Sequence, residues 1–199
     1  MVRRRQIAVL AILMACATGC SALNAHMTTA TATATSSSTT QQARAGGLVA
    51  VHDPGQVTGI VPTSCHAGPG PSPDPACTPG AIDPAVTQQN IATTICRSGY
   101  TTKVRPPTDQ TNKLKAEMYK AYGIRSGTTS ELDHLVSLEL GGANDAANLW
   151  PEVGSLPNPK DKVENDLHRA VCSGKVTLAA AQRAIAADWM TAEHTLGLS

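Results

Sequence analysis

Phenylalanine is missing from all 199 residues, and aromatic residues make up only 3% of them. A core built without Phe must come from Leu, Ile, Val and Ala with a few Tyr and Trp. A small domain with so thin a core usually needs covalent or metal staples. Charge of one sign is also lacking: the formal net charge is +1, which argues neither for nor against a polyanionic partner. No CxxC pair occurs, so a zinc knuckle is a poor reading of the cysteines. Internal repeats are absent. The most apolar stretch, Gln6 to Ala17, runs for 12 residues, whereas a bilayer span needs about 20.

That stretch follows Val2-Arg3-Arg4-Arg5, a positive n-region, and together they read as a secretory signal over residues 1–19. It closes on Ala17-Thr18-Gly19-Cys20, which resembles a bacterial lipobox with Cys20 as the lipidated residue; Leu13-Met14-Ala15-Cys16 is the weaker second candidate. The chain is therefore expected to be exported, and either lipid-anchored on the outer face of the cell membrane or secreted. Residues 20–47, rich in Thr, Ala and Ser without apolar period, read as a tether.

Cys65, Cys77, Cys96 and Cys172 then remain, an even number that reads as two disulfides in an exported chain. Three connectivities are open. The preferred one closes the Pro/Gly-rich loop with Cys65–Cys77 and ties distant segments with Cys96–Cys172.

Residues 48–82 form a Cys/Pro/Gly-rich segment. Within it, LVAV and VTGIV suggest two short strands around an Asp-Pro-Gly turn. Residues 83–199 carry the helical signals. Asp83-Pro84 caps a stretch with Val86, Ile91 and Ile95; Thr101 to Pro107 reads as extended; Thr108 or Asp109 starts a helix with Leu114, Met118 and Tyr122 on one face. Asn158, Pro159 and Gly174 bracket a helix with the spine Val163, Leu167 and Val171. A last helix starts near Thr177 and buries Leu178, Ala181, Ile185 and Trp189.

Between those helices lies ELDHLVSLELGGANDAANLWPE, from Glu131 to Glu152. It predicts a strand over Glu131–Leu138, a turn at Gly141-Gly142, and a second extended piece ending at Leu149. Asp133 and His134 stand on the first strand, Asn148 follows His134 by fourteen positions, and His168 lies on the next helix with Glu164 one turn before it. This constellation resembles the HNH endonucleases, whose fold is the ββα-metal motif. The resemblance runs from residue 131 to 172, and it implies an α+β domain with a ββα-metal core and flanking helices. Two departures stand out: there is no zinc knuckle, and twenty positions separate Asn148 from His168.

The resemblance implies metal-dependent hydrolysis of phosphodiester bonds in DNA, with RNA as the other substrate. His134 would be the general base, and Asn148 would orient the loop and that base. Asp133 and His168 would hold the metal, with Glu164 as a further ligand or as the residue fixing the tautomer of His168. A mixed oxygen and nitrogen donor set suits Mg²⁺ or Mn²⁺, with Zn²⁺ also admissible. Neighbours in a regular strand point to opposite faces, so Asp133 and His134 can share a site only where the strand ends or bulges. His168 reads equally well as a half-buried helix residue, and Asn144 and Asp145 as turn residues.

Seven basic residues against two acids between Arg97 and Arg125 make a local excess of +5. Arg97, Lys103, Arg105, Lys113 and Lys120 are the candidates for contacting a nucleic-acid backbone; a solvated helix face is the plainer reading. No obligate protein partner is implied. Two other functions compete with the nuclease. One is a non-catalytic envelope lipoprotein using the same scaffold for binding. The other is a metal scavenger, for which the chain clusters too few His and Cys.

Overall fold

The computed structural model describes residues 47–53, 55–66 and 71–199. The expected signal segment, Cys16, the expected lipidation site Cys20 and nearly all of the expected tether lie outside the described residues. Helix and strand are mixed, as the α+β class requires: β1 (Val49–Ala50), β2 (Ala81–Ile82), α1 (Tyr100–Val104), α2 (Thr108–Ala121), β3 (Ser130–His134), β4 (Leu149–Val153), α3 (Pro159–Cys172), α4 (Leu178–Asp188) and α5 (Ala192–Thr195), with short 3₁₀ turns at Gln88–Thr93 and Leu138–Leu140.

The helices with complete end signals form where their caps place them. Asn158 accepts from the Lys160 amide, Asp161 reaches back to the Asn158 amide, and Pro159 takes the first turn of α3. Thr177 caps α4 through the Ala180 amide. Val163, Leu167 and Val171 of α3 pack with Val136, Leu140, Ile185 and Trp189 in one apolar cluster. Leu114 and Met118 of α2 pack with Cys65, Leu135, Leu149 and Trp150 in a second.

Several expectations change. Tyr100–Val104 is a short helix rather than extended chain, and the stretch after Asp83-Pro84 forms a 3₁₀ turn rather than a regular helix. In the hairpin, the first strand ends at His134 rather than at Leu138, with Leu138–Leu140 in a 3₁₀ turn, and the second begins at Leu149 rather than ending there. It runs antiparallel to β3 from His134↔Leu149 to Ser130↔Val153. Pro151 sits inside it opposite Leu132, which a two-stranded sheet tolerates because each strand is also an edge.

The segment over 48–82 makes no hairpin of its own. Val49–Ala50 pairs in parallel with Ala81–Ile82, and Thr58 bridges to Asp145. Cys65 pairs with Cys77 and Cys96 with Cys172 at disulfide distance, with Cα separations of 6.0 and 5.6 Å. Two such bridges fit an oxidising compartment. Among the described residues no helix is long and apolar enough to cross a membrane.

Candidate active site

The strand β3 ends at His134, and there the chain turns Asp133 and His134 onto one cavity of about 160 Å³. Glu131, Glu139, Asp161, Glu164 and Arg105 line it as well. Five carboxyl groups thus face a single guanidinium across a small space.

Beside the cavity lies Lys160, only 1% exposed. Its ammonium donates to Asp133 Oδ2 at 2.7 Å, to the His134 carbonyl at 2.7 Å, and to Glu164 Oε1. The two carboxylates hold the Lys160 pKa above its ordinary value despite burial, which acts the other way. Burial pushes the Glu164 carboxyl up to about 7, against the attraction of Lys160. Glu152 is more extreme. It is 1% exposed, both its oxygens lack partners among the described residues, and burial with Asp133 nearby raises it to about 8.

His134 is buried, and desolvation lowers its pKa, so the ring is neutral at pH 7. Its Nε2 lies 2.8 Å from Asn144 Oδ1. Asn144 in turn donates through Nδ2 to Asp53 Oδ2 at 2.9 Å and to the Val104 carbonyl at 2.8 Å. Among the described residues Nδ1 of His134 has no hydrogen-bond partner, and the residue itself lines the cavity.

Asn148 does not touch the imidazole. Wholly buried, it accepts from the Val136 amide at 2.9 Å and the Ala81 amide at 3.2 Å. It donates to the Val136 carbonyl at 2.9 Å and the Ala143 carbonyl at 3.0 Å. Its own carbonyl accepts from the Leu135 amide at 2.8 Å. It fixes the chain just after His134 and leaves the ring to Asn144.

His168 is not brought to this cavity. Its Nε2 donates to the Ile95 carbonyl at 2.9 Å, and its Nδ1 lies 3.9 Å from Glu139 Oε2. The imidazole therefore meets the site only through Glu139, and the expected metal contact from residue 168 is replaced by a hydrogen bond to the main chain. His168 also lies within 4.8 Å of the sulfurs of Cys96 and Cys172, but those sulfurs are joined to each other and offer no thiolates.

Of the five basic candidates, only Arg105 lines the cavity; Arg97, Lys103, Lys113 and Lys120 are exposed elsewhere. Among the residues that sequence reasoning missed here are Lys160, Asn144 and Asp53. Lys160 was legible in principle, because it stands one helical turn before Glu164. Asp53, ninety-one positions from Asn144, carried no signal beyond its turn. Comparison with protein-family models, with curated proteins and with solved structures returned no match.

Proposed function

We propose that this protein is a hydrolase of phosphodiester bonds, and within that class a divalent-cation-dependent endonuclease of HNH type acting on DNA, or alternatively RNA, outside the cytoplasm. The observation that carries the reading is the neutral, buried imidazole of His134 opening onto a carboxylate-lined cavity beside Asp133. A phosphodiester is an anion, and five acids would repel it unless a cation offsets them. The surplus of carboxyl oxygens suits such a cation. Lys160 takes one oxygen each from Asp133 and Glu164, and the second oxygens of both remain for Mg²⁺ or Mn²⁺. With His168 directed elsewhere, a mostly oxygen donor set disfavours Zn²⁺. When bound, the cation supplies positive charge against the phosphate oxygens.

The chain's own groups do the rest. His134 takes the proton from the attacking water through its free nitrogen. Arg105 offers a fork of N–H donors to a phosphate oxygen. Lys160 keeps the Asp133 carboxylate and the His134 carbonyl in fixed relation, and Asn148 holds the end of β3. Export and a lipid anchor at Cys20 would place this activity on the outer face of the cell membrane.

The test is plasmid nicking with Mg²⁺ or Mn²⁺. EDTA should abolish it, and His134→Ala should lower it by at least about a hundredfold, the scale of a general base. Undiminished nicking by the alanine variant removes His134 from the chemistry. A second reading, a non-catalytic envelope module that binds through this scaffold, is favoured by one observation. The Lys160 ammonium already bridges Asp133 and Glu164, the place where a metal's charge would be needed. Titration calorimetry with divalent cations separates the two: a folded protein without affinity for them is the binding module.

A further inference from the structure

We infer that Asp53 is a positioning residue of this site, acting through Asn144 to hold His134 as the tautomer that leaves Nδ1 bare toward the cavity. The catalytic consequence rests on the nuclease reading; the hydrogen-bond chain does not. Asn144 Nδ2 carries two hydrogens, and each has an acceptor, Asp53 Oδ2 at 2.9 Å and the Val104 carbonyl at 2.8 Å. A carbonyl cannot donate, and the Asp53 carboxylate acts as acceptor in every hydrogen bond it makes among the described residues. Its Oδ2 also takes the Asn144 main-chain amide at 2.9 Å, and its Oδ1 takes the Gly55 amide at 2.7 Å. The Asn144 amide is thereby oriented with Oδ1 toward His134 Nε2. An amide oxygen only accepts, so Nε2 must carry the hydrogen. In a neutral imidazole the lone pair then resides on Nδ1.

Burial keeps this arrangement from being rewired by water, since Asn144 is 1% exposed and His134 7%. The segment that brings Asp53 is itself tied down beyond the turn. Thr58 donates its amide to the Asn144 carbonyl at 2.9 Å and its hydroxyl to Asp145 Oδ2 at 2.8 Å, and the Ala146 amide returns to the Thr58 carbonyl at 3.0 Å. The Val104 carbonyl ties the same amide to the main chain next to Arg105. The Cys/Pro/Gly-rich segment that precedes the domain in sequence thus supplies part of its site.

The test reads the tautomer directly, by long-range proton–nitrogen correlation spectra of the labelled protein at neutral pH, with His134 assigned from the signals lost in His134→Gln. The wild type should show Nε2 protonated and Nδ1 bare. Asp53→Ala should give a mixture of tautomers. On plasmid substrate it should lose about tenfold to a hundredfold in kcat, with KM within about twofold, the scale seen when an orienting partner is removed. Asp53→Asn keeps the size and one oxygen acceptor, and should recover part of the loss and stand in if the alanine variant does not fold. A wild-type His134 protonated at Nδ1 or averaging between tautomers overturns the inference, as does an unchanged tautomer in a folded Asp53 variant. The predicted spectrum in a wild type that cleaves nothing overturns the nuclease reading alone.

Discussion

Gly141 and Gly142 show how two identical neighbours meet different demands. Gly141 has φ +72°, a left-handed turn conformation that any side chain would strain. Gly142 needs no unusual backbone, but a Cβ there would lie 1.7 Å from the Val136 carbonyl oxygen. Main chain cannot swing aside as a side chain can. Gly142→Ala should therefore cost about 3 kcal/mol or more, at or beyond the usual upper end for overpacking, and urea unfolding would measure it. The turn was legible in the sequence, but the close approach was not, because it depends on how the chain leaving His134 folds back to bring the Val136 carbonyl against Gly142. Tyr122 gives a second prediction at this scale. Its hydroxyl meets Thr78 Oγ1 at 2.9 Å and the Asp74 amide at 3.2 Å, and burial raises its pKa above 10.0. Because the folded state holds the proton more tightly than the unfolded chain, stability is fully present below about pH 10. It is lost as pH rises through the folded value. Denaturation midpoints measured across that range should fall for the wild type and fall less for Tyr122→Phe.

Helix α3 carries Lys160, Asp161 and Glu164 within its first two turns, so its N-terminal cap does more than end a helix. Asn158→Ala should cost about 1 kcal/mol by loss of the cap, read by chemical denaturation. It should also lower nicking activity, because the residues it frees to fray are those that face Asp133. This helix and its spine were legible down to the capping residue because local chemistry alone specifies them. Elements without such local signals were misread. Thr101, Thr102 and Val104 have the β-branched side chains of an extended segment, yet Tyr100–Val104 forms one helical turn with no side-chain cap. Tertiary contacts decide that turn, among them the hydrogen bond from Asn144 to the Val104 carbonyl. β4 lies later than the sequence suggests because no local signal carries a strand through Pro151; its pairing with Leu132 does. In the site, the Asp-His pair and Glu164 were visible as a pattern. The actual partner of His134 was hidden among residues that any turn would use.

Across the whole molecule, the thin core is held by long-range ties that a scan for local signals cannot see. Val49 pairs with Ala81, Thr58 with Asp145, and Trp189 Nε1 donates to the Pro71 carbonyl at 2.9 Å across 118 positions. The two disulfides belong to the same scheme but differ in reach. Cys65 and Cys77 are 12 positions apart, whereas Cys96 and Cys172 are 76 apart. By loop-closure entropy alone the short bridge should contribute about 3 kcal/mol and the long one about 4.5 kcal/mol. The long bridge also fixes the C-terminal end of α3 against the segment holding Ile95, whose carbonyl anchors His168 one turn earlier. Replacing Cys96 and Cys172 together with Ser should thus lower the melting temperature more than the same change at Cys65 and Cys77. It should also release the His168 imidazole, visible as a change in its proton–nitrogen spectrum, while the His134 signals stay in place. If the Cys65 and Cys77 variant proves the less stable of the two, constraint of the unfolded chain is not what these bridges contribute, and strengthening of the apolar cluster around Cys65 and Tyr122 takes its place.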